Sequence, residues 1–234
     1  RKRIASLGKN ETPWMKGSGQ KVLGYYSKID DSPQPYGVEV PEGLEFGAGK
    51  KPVPMWIWLH GRGDAATDLP FVYSKLMAKK PGQFQPAGTI VIHPFGRYCN
   101  GWKSAGETDV FEAIEAVCRN YKIDRDRIVL RGMSMGASGT WHLGLKHPDR
   151  FVAIGPYCGY VDTHRFSETP IPGFIRVGPL PPHQEIGLHM LDSVDYAANA
   201  TMVPEIACIG DKDTFFQAHV IMGEAFAKEG VPFI

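Results

Sequence analysis

A short β-branched run passes directly into a helical stretch at residues 128–139, with glycines on both sides of one serine: Ile128-Val129-Leu130-Arg131-Gly132-Met133-Ser134-Met135-Gly136-Ala137-Ser138-Gly139. A chain that turns from strand to helix within a few residues must pack the two against each other, which commits it to helices lying on a sheet. The pentad G-x-S-x-G is the nucleophile-elbow pattern, in which the turn lifts the serine, here Ser134, out of the backbone for attack. Gly132 and Gly136 have a steric task, because strand and helix pass closely and the serine itself sits in a strained conformation. The helix then continues through Trp141-His142-Leu143-Gly144-Leu145-Lys146-His147 until Pro148 stops it.

The remaining pattern supports the same layering. Strands are expected at residues 21–29, 34–40 and 53–59, separated by Asp31-Ser32-Pro33 and by a Pro/Gly-rich stretch from Pro41 to Pro52. Helix and strand then alternate: helix 68–79, strand 89–93, helix 107–121, strand 127–130, the elbow helix 135–146 and strand 151–154. A strand at 205–209, a helix at 214–229 and the start of another strand at 231–234 close the series. The 107–121 segment carries Val110, Phe111, Ile114, Val117, Cys118 and Tyr121 at three- and four-residue steps, one face of a helix. Met55-Trp56-Ile57-Trp58-Leu59 is apolar throughout, as suits a strand buried on both faces. The fold class is therefore α/β, a mostly parallel central sheet with helices on both faces. Residues 1–20 are polar and basic and read as a flexible lead-in; residues 21–234 form one domain. A proline-rich excursion, 156–203, is expected to cap the carboxyl ends of the strands, where such sheets bind ligands.

At 234 residues, 43% hydrophobic and 22% charged, the chain has material for one substantial core and is not a disordered segment. A formal charge of +1 gives no ground for nucleic acid or an anionic membrane as partner, and no apolar run approaches a membrane span. Cys99, Cys118, Cys158 and Cys208 are too sparse for a disulfide framework. Cys118 and Cys208 read as buried thiols, whereas Cys99 and Cys158 both follow strand ends and lie within possible reach of each other. No His/Cys spacing suggests a metal, and the chemistry below calls for no cofactor.

A serine nucleophile needs N–H donors for the oxyanion, a base, and an acid that orients the base. Leu59-His60-Gly61-Arg62-Gly63-Asp64 follows directly on a strand, so the backbone N–H groups of Met135 and Arg62 are the expected oxyanion donors. The same stretch also fits the loose dinucleotide fingerprint G-x-G-x-x-A, but the next strand ends in His93-Pro94 and not in the acid that would hold a ribose. The orienting acid is expected after Ile209-Gly210, at Asp213, with Asp211 as the alternative. The base should lie beyond the last strand, hence past Ile234. His219, six residues past Asp213 at about 1.5 Å per residue, falls roughly 9 Å down a helix and reads as a surface or packing residue. His142 and His147 read as structural, and His183 and His189 lie in the cap.

These features together resemble the serine α/β-hydrolase superfamily, and within it the compact esterases of the prolyl-oligopeptidase-like, poly(3-hydroxybutyrate)-depolymerase and feruloyl-esterase-like group. The likeness runs from about Tyr25 to Ile234. It rests on Tyr36-Gly37-Val38-Glu39-Val40-Pro41, the His60-Gly61 turn, His93-Pro94-Phe95-Gly96-Arg97, the elbow with its strand, His147-Pro148-Asp149-Arg150-Phe151, and Gly210-Asp211-Lys212-Asp213. The resemblance implies the α/β-hydrolase fold, Ser134 as nucleophile, Asp213 as acid and a histidine past Ile234, on a domain that lacks its C-terminal strand and helix. It implies a serine-dependent carboxylic-ester hydrolase working through an acyl-enzyme, on small-molecule or polysaccharide-linked and phenolic esters, and it favours secretion or the periplasm. The alternatives are an oligopeptidase-type amidase and a non-catalytic binding module on the same fold. His60, Arg97, Trp102 and Tyr157, with His164 and Phe166 of the cap, are the expected substrate-lining residues. Arg62 and Arg97 are the cations available to a substrate carboxylate.

Overall fold

The apolar runs assemble into one six-stranded sheet, seen in a computed structural model that describes residues 2–9, 12–44, 50–63, 67–78, 85–168 and 176–233. Its strands are β1 (Gly19–Tyr26), β2 (Pro33–Val40), β3 (Val53–Leu59), β4 (Ile90–Pro94), β5 (Ile123–Met133) and β6 (Ala153–Tyr157), in the spatial order β1-β2-β4-β3-β5-β6. β1 and β2 are antiparallel, as are β2 and β4; β4, β3, β5 and β6 run parallel. The helices are α1 (Lys2–Leu7), α2 (Asp68–Met77), α3 (Ala105–Asn120), α4 (Met135–Lys146), α5 (Pro182–His189) and α6 (Phe216–Glu229).

Strand alternation assigns the helices to opposite faces. Tyr36, Val38 and Val40 of β2 are buried in the core shared with Val110, Ile114 and Val117 of α3, and Asn120 Nδ2 donates to Tyr36 Oη at 3.2 Å. Gly37 and Glu39 point the other way, toward α2: a Cβ at Gly37 would lie 3.1 Å from Lys75 Cδ. Met55, Ile57 and Leu59 of β3 are fully buried, in one cluster with Trp141, Leu143 and Leu145 of α4. Trp56 and Trp58, between them, are only half-buried, and the Arg131 guanidinium lies over their rings at 4.5 and 5.8 Å. β3 is thus not buried equally on both faces, as its unbroken apolar run suggested: indoles have enough apolar area to leave an edge near solvent and still cover the strand.

Register sets the site. Leu59 pairs with Gly132 and Gly132 with Pro156, so the chain leaves β3, β5 and β6 at one level. His60-Gly61, Met133-Ser134 and Tyr157-Cys158 therefore emerge side by side at the carboxyl edge.

Several expectations change. Residues 205–209 form no regular strand; they run beside β6 through isolated bridges, Glu205 to Ile154 and Cys208 to Tyr157. Cys208 on this edge is exposed, not buried. Residues 231–233 are not a strand, and Ile234 lies outside the described residues; Phe233 packs instead against Phe226 and Trp141, at 5.2 and 6.3 Å between ring centroids. Within the expected lead-in, α1 and a 3-10 turn at Pro13–Met15 form, and β1 begins at Gly19. In the excursion, Ser193–Thr201 is a long 3-10 stretch that packs on α4, with Ala197 and Ala200 buried and Asn199 Nδ2 donating to Leu145 O at 2.8 Å. All four cysteines are free thiols; Cys99 Sγ accepts the Gly63 N–H at 3.2 Å.

Candidate active site

Ser134 stands at the junction of β5 and α4 with φ 58° and ψ −123°, a left-handed conformation that costs a non-glycine residue about 1–3 kcal/mol. Its surroundings hold it there. The Ser134 N–H donates to Tyr157 O at 3.1 Å, and its carbonyl accepts the N–H groups of Ala137 and Ser138 at 2.9 and 3.1 Å, opening the helix. The glycines do what the sequence asked of them: a Cβ at Gly132 would lie 2.4 Å from Gly136 O, and one at Gly136 would lie 2.0 Å from Leu59 O. Side chains at either place would wedge the helix off the sheet.

On the neighbouring loop, the position of a Cβ on Gly61 lies 3.4 Å from Ser134 Cβ and 3.9 Å from Ser134 Oγ. The His60 ring faces two carbonyls, Nδ1 at 2.8 Å from Gly61 O and Nε2 at 2.9 Å from Phe95 O. Turning the Gly61 carbonyl toward His60 sends the Arg62 N–H to the opposite side of that planar peptide. The Met135 N–H, at the first helical position, has no intrahelical acceptor. The helix dipole adds partial positive charge there.

Loop 95–104 is anchored from below. Asp109, fully buried on α3, accepts the Gly96 N–H at 2.7 Å and the Tyr25 hydroxyl; burial pushes both this carboxyl and the Tyr25 phenol above their usual ranges. The loop carries positive φ at Arg97, Tyr98, Trp102 and Ser104. That conformation redirects two side chains expected to face substrate, Trp102 and Arg97. Trp102 is fully buried: its indole lies where a Cβ on Gly139 would fall, 2.5 Å away, and its Nε1–H donates to His60 O at 3.1 Å. It is a strut between the elbow helix and the His60 turn, not a pocket wall. Arg97 places its fork on Asp30 of the β1–β2 turn, at 2.8 and 2.9 Å, so it is not offered to a substrate. Tyr157, by strand alternation, points to the Trp58 face; its hydroxyl is bonded to Arg131 and only its carbonyl touches the elbow. His164 pairs with Glu185 at 2.7 Å, and Phe166 packs on Tyr160 at 5.0 Å.

Asp213 follows Gly210 and is half-buried; Oδ1 accepts the Phe215 N–H at 2.8 Å, while Asp211 is exposed. Burial pushes the Cys158 thiol up, the Ser134 backbone amide against it pulls it down, and Asp213 raises it. His219, read as a surface or packing residue, is buried against Trp141 at 6.2 Å, and neither ring nitrogen has a hydrogen-bond partner among the described residues. Burial lowers its pKa, and Asp213 acts in the opposite sense.

No histidine bonds to Ser134 Oγ among the described residues. His142 and His147 both bond Glu107, at 3.0 and 2.7 Å, His93 bonds Glu39 at 2.9 Å, and His189 bonds Asp195 at 2.6 Å. The described residues contain no group of three His, Cys, Asp or Glu able to hold a metal, and no helix long and apolar enough to cross a membrane. The sequence reading missed Asp109 beneath the loop; it has no local signal, because it meets Tyr25 across elements far apart in sequence.

A strained serine at a strand–helix turn, on a sheet of this order and direction, defines a serine hydrolase of the α/β-hydrolase fold. Residues 97–231, more than half of the chain, match the prolyl oligopeptidase family, and the chain belongs to that family. No curated protein sequence matches it. Among solved structures it is similar to FphF, a fluorophosphonate-binding serine hydrolase of Staphylococcus aureus, with 18% identity and TM-score 0.68, covering 93% of this chain and 89% of that one. A ferulic acid esterase is similar at 21% identity and TM-score 0.63, covering 92% and 88%. An acylaminoacyl peptidase of Pyrococcus horikoshii is similar at 18% identity and TM-score 0.66, covering 92% of this chain but 36% of that one.

Proposed function

We propose that the protein is a serine-dependent carboxylic-ester hydrolase that works through an acyl-enzyme, on polysaccharide-linked or phenolic esters. The observation that carries this reading is Ser134 held at φ 58° at the junction of β5 and α4, beside Gly61. In the proposed reaction Ser134 Oγ attacks the acyl carbon, and a histidine takes its proton. The Met135 and Arg62 N–H groups hold the oxyanion, a contribution of about 3 kcal/mol each by analogy with single-donor deletions. The histidine returns the proton to the leaving alkoxide, and water then attacks the acyl-enzyme by the same route in reverse order. Asp213 orients that histidine. Since none of the described histidines bonds to Ser134, the base is assigned to a histidine outside residues 1–234.

Esters are preferred to amides as substrates because the ferulic acid esterase matches over 88% of its own length, whereas the acylaminoacyl peptidase matches over 36% of its length. A matched panel of aryl and alkyl esters and the corresponding amides, assayed with the intact protein, tests the reading. Ester turnover abolished by Ser134→Ala supports it. Amide turnover without ester turnover favours an oligopeptidase-type amidase, and no turnover with ligand binding favours a binding module.

A further inference from the structure

A cavity of about 300 Å³ opens between α2 and the carboxyl ends of β3 and β4, walled by His60, Gly61, Phe71, Phe95, Tyr98 and Lys75. Its volume is at the small end for ligand sites and suits one substituted ring, not a polymer chain. Gly61 is the wall it shares with the serine, 3.9 Å separating the position of a glycine Cβ from Ser134 Oγ. The body of the cavity is aromatic: the Phe71 and Phe95 rings lie 5.2 Å apart at 44°, and Phe71 stands 6.2 Å from the His60 ring.

Its polar groups are mostly occupied. Ser74 Oγ donates to Phe71 O at 2.7 Å, Cys99 Sγ accepts from Gly63, and both His60 nitrogens face carbonyls. Lys75 is different. Its stem crosses β2 over Gly37, and its Nζ lies 5.8 Å from the Phe71 centroid, with no hydrogen-bond acceptor among the described residues. Burial lowers the pKa of this ammonium and Glu39 acts to raise it, but Glu39 Oε1 accepts from His93 Nε2 at 2.9 Å. A half-buried cation on an aromatic wall suits an anion brought in with an apolar body.

We propose that this cavity is an acyl subsite for aryl esters whose ring carries a carboxylate, with Lys75 as the residue that selects the charge. The assignment rests on the esterase reading for its place in the reaction, and on Lys75 and the aromatic walls for its specificity.

The intact protein is assayed with monomethyl benzene-1,4-dicarboxylate and methyl benzoate, and the ratio of their kcat/KM values is taken. The expected ratio is at least tenfold in favour of the charged ester. In Lys75→Met the ratio falls at least tenfold, through KM, and Lys75→Arg restores part of it. A ratio near one in the natural protein, or one that Lys75→Met leaves in place, overturns the assignment. Calorimetric binding of 4-carbamoylbenzoate against benzamide needs neither turnover nor a variant; tighter binding of the charged ligand by at least tenfold is expected, and equal binding overturns the subsite. Lys75-dependent binding with no ester turnover leaves the subsite standing and removes the esterase reading. Ester turnover without a carboxylate preference does the reverse.

Discussion

Gly136→Ala isolates the contact on which the serine's position depends. The new Cβ would fall 2.0 Å from Leu59 O, 2.6 Å from Leu59 C and 2.9 Å from His60 O. Those atoms are backbone, and β3 is held between β4 and β5, so no flexible side chain can give way. Overpacking of this kind costs about 1–3 kcal/mol and more where the neighbour is rigid; the gain from replacing a helical glycine offsets only about 0.5–1 kcal/mol. A net loss of roughly 2–3 kcal/mol is expected in urea unfolding. Relief by moving α4 off the sheet separates Ser134 from Gly61, and a displacement of about 1 Å can cost 10²-fold in rate. Gly187→Ala is the control: on α5 nothing lies within 4 Å of its added Cβ, and it should be neutral or mildly stabilising. If Gly136→Ala unfolds within about 0.5 kcal/mol of the natural protein and reacts with a fluorophosphonate at an unchanged rate, the close packing of elbow on β3 is wrong.

Glu107 accepts from His142, His147 and Lys146; burial pushes its carboxyl up, but the three bonds outweigh this and hold it at about 2. Because the folded value lies below the ordinary 4.5, its stabilisation is full above about pH 4.5 and is lost as pH falls toward 2. Glu107→Gln should therefore remove up to about 3 kcal/mol at neutral pH and flatten stability across pH 2–4.5, read by urea titration at several pH values. Asp213→Asn should lower kcat by about 10⁴-fold with little change in KM, whereas Asp211→Asn should not; equal effects would remove Asp213 from its role. Arg97→Ala should leave KM for anionic and neutral esters in the same ratio, since the fork is engaged by Asp30; a selective loss for anions would show that it reaches substrate.

The elbow was legible because its signal is local: a β-branched strand, a helix with apolar periodicity and glycines at two fixed positions all agree. The His60-Gly61 turn and the Gly210-Asp213 loop were legible as strand-end punctuation. Side-chain direction in the 95–104 loop was not. Arg97, Tyr98 and Trp102 adopt positive φ although none of them is a glycine, and the partners that enforce this, Asp30, Asp109 and Gly139, come from a turn and two helices elsewhere in the chain. The Glu39–His93 pair and Lys75 were hidden for a related reason: β2 meets β4 across a non-consecutive pairing, so nothing in either segment points to the other. Residues 205–209 carry a strand's composition but bond on one side only, to β6.

Covalent labelling of the intact protein by a fluorophosphonate tests the nucleophile most directly, read by whole-protein mass and peptide mapping. A single adduct on Ser134, absent from Ser134→Ala, is the expected result. No adduct, or one on another residue with ester turnover surviving in Ser134→Ala, would contradict the reading of this turn as the seat of hydrolysis.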